Sequence, residues 1–164
     1  MERSVMPQPV TISEALIEDK QQILKMWEAL TMELPEHHFK PFGEPVLSER
    51  SQMLSDMFNN SLGAASAVVL KIGSERCLGT ISAVLNQQSG FVQANSGVIF
   101  NLWIEPDYRR LGYATELVLQ SKKWLKEQGA TTAQVGWHPE NEVADRFWKK
   151  QGFRNYEVIA ATSL

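Results

Sequence analysis

Apolar positions along this chain change period several times, and each change predicts an element. Val10 and Ile12 alternate with polar neighbours, so Val10 to Ala15 predicts a first strand with one buried face. Ile23, Trp27, Leu30 and Leu34 then fall at i, i+4, i+7 and i+11, which predicts an amphipathic helix over Glu18 to Glu33 that Pro35 ends. Pro35 to Pro45 is aromatic and histidine-bearing, and Pro41 and Gly43 interrupt it, so it predicts a shaped loop. Ser48 can cap a second helix with Met53, Leu54, Met57 and Phe58 as its apolar face, stopped by Asn59, Asn60 and Gly63.

Ala67 to Ile72 and Cys77 to Leu85 flank the turn Gly73-Ser74-Glu75-Arg76 and predict an antiparallel hairpin. Gln87 to Gly97 is polar and turn-like, whereas Val98 to Ile104 has the β-branched and aromatic density of a central strand. Ala114 to Gln128 predicts a helix with Leu117, Val118, Trp124 and Leu125 inward and Gly129 at its C-terminal cap. A short strand over Ala133 to Trp137, a helix from Asn141 to Gln151 stopped by Gly152, and a strand over Tyr156 to Ala161 that closes the sheet complete the series. The order predicts an α/β architecture, a central mixed sheet with helices on both faces, because the late β-α-β unit needs a parallel crossover.

Composition narrows the function classes. At 164 residues and 43% hydrophobic content, the chain predicts one self-sufficient domain over 10–164 behind a flexible leader, 1–9. Sixteen Lys plus Arg against nineteen Asp plus Glu give a net charge of −3, so no general positive field exists to hold nucleic acid. No apolar run approaches the roughly 20 residues of a membrane span, and the first ten residues lack the apolar centre of an export signal. The single cysteine, Cys77, fits a reducing, cytoplasmic address and reads as a small buried hydrophobe rather than a nucleophile.

Chemistry concentrates in Leu102-Trp103-Ile104-Glu105-Pro106-Asp107-Tyr108-Arg109-Arg110-Leu111-Gly112-Tyr113-Ala114-Thr115, where a strand runs through a turn into a helix. Gly112 lets a ligand approach the backbone closely, and small Ala114 leaves the approach open. The first helical turn presents N–H groups with no partner in the helix, at the positive end of its dipole. With Arg109 and Arg110 just before them, these groups suit one diphosphate. No Walker loop and no G-x-G-x-x-G fingerprint is present.

The pattern Arg109-x-x-Gly112-x-Ala114 resembles the acyl-coenzyme A signature of the GNAT superfamily of N-acetyltransferases. Asn141-x-x-Ala144-x-x-Phe147-Trp148-x-x-x-Gly152-Phe153 resembles that superfamily's later helix and final strand, at matching spacing. The resemblance implies a GNAT-like acyl-CoA N-acyltransferase fold with acetyl-CoA in a cleft where two parallel strands part. The main chain of Leu102, Trp103 and Ile104 would then pair with the pantetheine arm, and Arg109, Arg110, Leu111, Gly112, Tyr113, Ala114 and Thr115 would hold the diphosphate. Asn141 would reach the pantetheine from the other side, with Phe147 and Trp148 as core and cleft wall.

The implied activity is transfer of an acetyl group to a primary amine of a small molecule or peptide, by direct attack in a ternary complex. Two positions depart from the superfamily. Trp148 stands where many relatives have a tyrosine able to protonate the departing sulfur, and Asn101 stands near a position often held by a carboxylate. An indole N–H is not a usable acid, and an amide cannot accept the ammonium proton. His138, at a strand end before Pro139, is the candidate base in their place, a turn histidine being the plainer alternative. Glu33, His37, His38 and Phe39, with Asn101, are the candidate acceptor-pocket residues, and adjacent His37 and His38 lack the Cys or Asp companions of a metal site. A non-catalytic acyl-CoA or metabolite-binding module of the same fold is the rival reading, a structural protein using its sheet edges ranks below it, and a homodimer is compatible with the architecture.

Overall fold

The computed structural model describes residues 10–33, 43, 45–92, 94–162 and 164. The leader 1–9, most of the loop from Pro35 to Pro45, and with it His37, His38 and Phe39, lie outside the described residues. The elements are β1 (Ile12–Glu14), α1 (Lys20–Met32), α2 (Leu47–Ser61), β2 (Ala67–Ile72), β3 (Gly79–Gln87), β4 (Asn95–Ile104), α3 (Tyr113–Glu127), β5 (Thr132–Val135) and α4 (Glu142–Lys150). They form one five-stranded sheet in sequence order, antiparallel throughout except for the parallel pair β4–β5. The crossover through α3 accounts for that parallel pair, as the β-α-β order requires.

Each face of the sheet carries its own core. Val68, Leu70, Ile72, Ile81, Ala83, Ile99 and Ile104 pack with Leu117, Val118 and Leu125 of α3 and Trp148 of α4. On the opposite face Val69, Cys77 and Trp103 pack with Ile23, Met26 and Trp27 of α1 and Leu54 and Phe58 of α2. Trp27 and Phe58, both fully buried, meet with ring centroids 6.0 Å apart. Buried Asp19 ties the start of α1 to the sheet, pairing with Lys71 and accepting the Leu16 N–H at 2.8 Å.

β4 contains a bulge that positions the candidate site. Thr80 lies opposite Trp103 and Ser82 opposite Phe100, so Ile81 alone faces both Asn101 and Leu102. Asn101 takes up the extra residue with φ +53, a left-handed conformation that Asn tolerates better than most side chains. The bulge shifts the alternation by one: Ile99, Leu102 and Ile104 serve the α3 face, and Trp103 serves the α1 face.

Four sequence expectations differ from the structure. Ser48 does not cap α2; the helix begins at Leu47 with Val46 in the capping place and no side-chain cap, so Ser48 lies inside the first turn. The second hairpin strand starts at Gly79 rather than Cys77, and the central strand starts at Asn95, three residues before its β-branched run, because β3 pairing extends through Gln87↔Asn95. Tyr156 to Ala161 forms no strand: Tyr156, Val158 and Ile159 are 73%, 87% and 92% exposed, and β5 ends the sheet. β-propensity there meets no partner strand and no apolar face among the described residues. No described helix is long and apolar enough to cross a membrane.

Candidate functional site

β4 and β5 part company where the bulge begins. Their parallel register runs from Ser96↔Thr132 to Ile99↔Val135, after which β4 continues to Ile104 while the other chain leaves through Gly136, Trp137 and His138. The β5-facing edge of Phe100 to Ile104 therefore has no strand partner among the described residues. At the far end of that edge, Pro106–Tyr108 forms a single 3-10 turn that feeds Arg109 to Gly112 and then α3.

This turn is built for close approach. Arg110 and Gly112 both have left-handed backbones, φ +64 and +85, and Gly112 occupies the capping position of α3 without any side-chain cap. The first helical bond there is donated by Glu116 to the Gly112 carbonyl at 3.1 Å, so the amides of Tyr113, Ala114 and Thr115 have no acceptor in the helix. Beyond its chain neighbours, a β-carbon placed on Gly112 would meet nothing within 4 Å among the described residues, so the space beside the glycine is open. Leu111 is exposed, Ala114 packs on the α3-side core, and Thr115 accepts a hydrogen bond from Gln151 Nε2 at 3.2 Å, joining the first turn of α3 to the end of α4. On its β1 side, the turn also borders a cavity of about 400 Å³ lined by Val10, Ile12, Ile72, Glu116 and Gln120.

Arg109 is held by contacts within the fold: Nε donates to the Ile104 carbonyl at 2.9 Å, Nη1 pairs with Glu33 at 3.1 Å, and Cζ lies 4.6 Å from the Trp103 ring centroid. Arg110 is exposed, and among the described residues no ion pair holds it. Glu33, a candidate acceptor-pocket residue by sequence, caps the end of α1 and pairs there with Arg109 of the turn before α3.

On the other side of the parting strands, Asn141 caps α4, its Oδ1 accepting the Ala144 N–H at 3.0 Å. That contact leaves the side-chain amide donor outside the cap interaction. Trp148 is buried in the α3-side core, edge-on to Phe147 and Phe153 at 5.0 and 5.5 Å, which makes it core rather than cleft wall. His138 is a turn residue: its Nδ1 accepts the Glu140 N–H at 3.2 Å, so in the neutral ring that lone pair is committed. Asn101 is half-buried, with Nδ2 3.6 Å from Met57 Sδ of α2.

Sequence reasoning missed Asp145. Its carboxylate accepts from Lys149 at 2.8 Å and from the Trp137 indole at 3.2 Å, clasping the exit of β5 to α4. The Lys149 hydrogen bond, aided by Trp137, holds its pKa below the usual carboxylate range. The i,i+4 spacing of Asp145 and Lys149 was the available signal.

Cys77 is not a nucleophile. It is 3% exposed, its thiol donates to the Gly79 carbonyl at 3.3 Å, and burial pushes its pKa from 9.0 up to about 11. Because the folded thiol keeps its proton to higher pH than the unfolded one, this stabilisation is complete below pH 9 and is lost as pH rises through about 11. A shift of that size corresponds to about 3 kcal/mol. Urea midpoints measured from pH 8 to 11 should fall more steeply for the wild type than for Cys77→Ala, and parallel curves would refute the assignment. Native protein should also leave an aromatic disulfide reagent almost unreacted.

The profile of the acetyltransferase (GNAT) family matches residues 26–153. An uncharacterized N-acetyltransferase of Methanocaldococcus jannaschii is 26% identical over 82 residues, 50% of this chain. The match spans only 36% of that relative's length. Among solved structures, a GCN5-related N-acetyltransferase from Ralstonia eutropha JMP134 superposes with a TM-score of 0.75 at 16% identity, covering 94% of this chain and 98% of that one. AAC(6')-Iy, solved in complex with the bisubstrate analogue CoA-S-monomethyl-acetylneamine, superposes with a TM-score of 0.69 at 15% identity, covering 96% and 99%. At these identities the structural likeness shows the fold.

Proposed function

The chain belongs to the acetyltransferase (GNAT) family, and from that premise we propose that it transfers an acetyl group from acetyl-CoA to a primary amine of a small molecule or peptide, by direct attack in a ternary complex. The observation that carries this reading is the open turn at Gly112, where three helix amides without a partner among the described residues stand at the end of a strand edge that β5 has left. A diphosphate fits the amides and the helix dipole, and exposed Arg110 adds charge. A pantetheine arm, with amide groups of its own, fits the edge from Phe100 towards Ile104 that β5 leaves, short of the Ile104 carbonyl already held by Arg109, in the manner of an added strand. The side-chain amide donor of Asn141, left outside its cap contact, would bind the same arm from the α4 side.

When bound, acetyl-CoA supplies the activated acyl carbon and a thiolate leaving group. The chain's contribution is placement: the β4 edge orients the acyl group, and the bulge at Asn101 turns that edge towards α2, where the amine enters. Proton removal from the ammonium falls to water oriented by the Asn101 amide, since the Nδ1 lone pair of His138 is engaged in its turn.

A second reading, a binding module without turnover, is favoured by the burial of Trp148 in core, which leaves the usual acid position without a phenol. A panel of primary amines incubated with acetyl-CoA, with free thiol as the readout, separates the two. Amine-dependent thiol release above the hydrolysis background is expected. Tight cofactor binding with no amine-dependent release would reject catalysis and leave the binding module.

A further inference from the structure

One side chain joins the two halves of the candidate site. Arg109 leaves the cofactor-side turn and makes three contacts on two elements: the last carbonyl of β4 at Ile104 (2.9 Å), the face of Trp103 on the same strand (4.6 Å), and the end of α1 at Glu33 (3.1 Å). Glu33 follows α1 directly, and the chain then enters the loop that sequence assigns to the acceptor side. A planar guanidinium suits this work, because its fork fixes two acceptors at set angles while its face stacks on an indole. Neighbouring Arg110 is exposed like Arg109 but stands on a left-handed backbone with no ion pair among the described residues.

We propose that Arg109 is a positioning residue that couples the acceptor-side end of α1 to the edge of β4, while Arg110 supplies the charge for the diphosphate. The proposal rests on the acetyl-CoA reading above and deepens it. Ile104 ends the strand edge on which the pantetheine would lie, so the grip on its carbonyl sets the height of that edge against the turn. The Glu33 contact carries the same constraint to α1, so acceptor and cofactor sites share one brace. An exposed ion pair alone contributes little. The backbone contact and the ring stack give the pair its fixed geometry.

Glu33→Gln separates this role from a phosphate-binding one by the sign of its effect. If Glu33 merely detains a phosphate ligand, removing its charge frees Arg109 and tightens cofactor binding. If Arg109 is a brace, the same change loosens it. Isothermal titration of CoA into wild type, Glu33→Gln, Arg109→Lys, the double variant and Arg110→Gln reads both the affinity and its salt dependence, with thermal unfolding run alongside.

Expected are losses of about fivefold for Glu33→Gln and for Arg109→Lys, a double variant no weaker than Arg109→Lys alone, and an unchanged salt slope for both. Arg110→Gln should instead flatten the slope. A purely structural role would lower the melting temperature without this coupling in CoA affinity. Tighter or unchanged binding in Glu33→Gln, full retention in Arg109→Lys, or additive losses would each overturn the brace. Failure of the wild type to bind CoA would overturn the acetyl-CoA reading itself, and the brace with it.

Discussion

Gly112→Val is expected to weaken CoA binding at least about 100-fold, some 2.7 kcal/mol, in isothermal titration at neutral pH. Two effects act in the same direction. The backbone at Gly112 has φ +85, where a β-branched residue is strained by about 1–3 kcal/mol, so the turn tends to relax and its amides splay. Where the turn holds, the new side chain fills the open space beside Gly112, next to the first turn of α3. Because, beyond the chain neighbours, no described atom lies within 4 Å of that β-carbon, the unliganded fold gains no long-range clash there and its loss of stability stays near the strain term. Binding should therefore suffer more than folding.

Gly112→Ala divides the two contributions. A single methyl carries most of the backbone strain but occludes less space, so an intermediate loss is expected, with thermal unfolding close to that of Gly112→Val. Binding by Gly112→Val within threefold of wild type would show that no ligand approaches this turn, and the acetyl-CoA reading would lose its central support.

The elements that sequence made legible are those in which one local pattern decides the outcome. α1, α3 and α4 follow from apolar residues at helical spacing and from stop signals at their ends, and Asn141 declares its cap by residue type. The cradle was legible for the same reason: strand, turn, glycine and helix start lie within fourteen consecutive residues. What escaped depends on contacts far along the chain. Glu33 and Arg109 are separated by 76 positions, so nothing near either residue announces the pair. The bulge at Asn101 exists because β3 offers one residue where β4 has two, a property of the pairing and not of either strand. Tyr156 to Ala161 has strand-forming residues but no neighbour to bond with, and propensity without pairing does not make a strand.

Trp148 shows how much hangs on separating core from cleft, and its truncation is the second large effect expected. Trp148→Ala should destabilise the fold by about 3–5 kcal/mol, since the ring is 6% exposed and removing it leaves a cavity on the α3-side core. The loss spreads beyond the indole. Phe147 and Phe153 both meet its ring at near-perpendicular angles, and Phe153 in turn lies under the Lys122 ammonium at 4.6 Å. Burial already holds the Lys122 pKa below its ordinary value, so loosening this stack admits water to a charge that the fold keeps partly dry. For a chain of this length, each kcal/mol moves the melting temperature by about 2–4 °C, so a drop on the order of 10 °C is expected in thermal unfolding. Trp148→Phe should recover much of it and leave CoA affinity near that of the wild type, because the aromatic contacts persist while only the indole's outer ring is lost. The opposite pattern, an unchanged melting temperature with CoA binding abolished in Trp148→Ala, would move this ring from the core to the cleft wall.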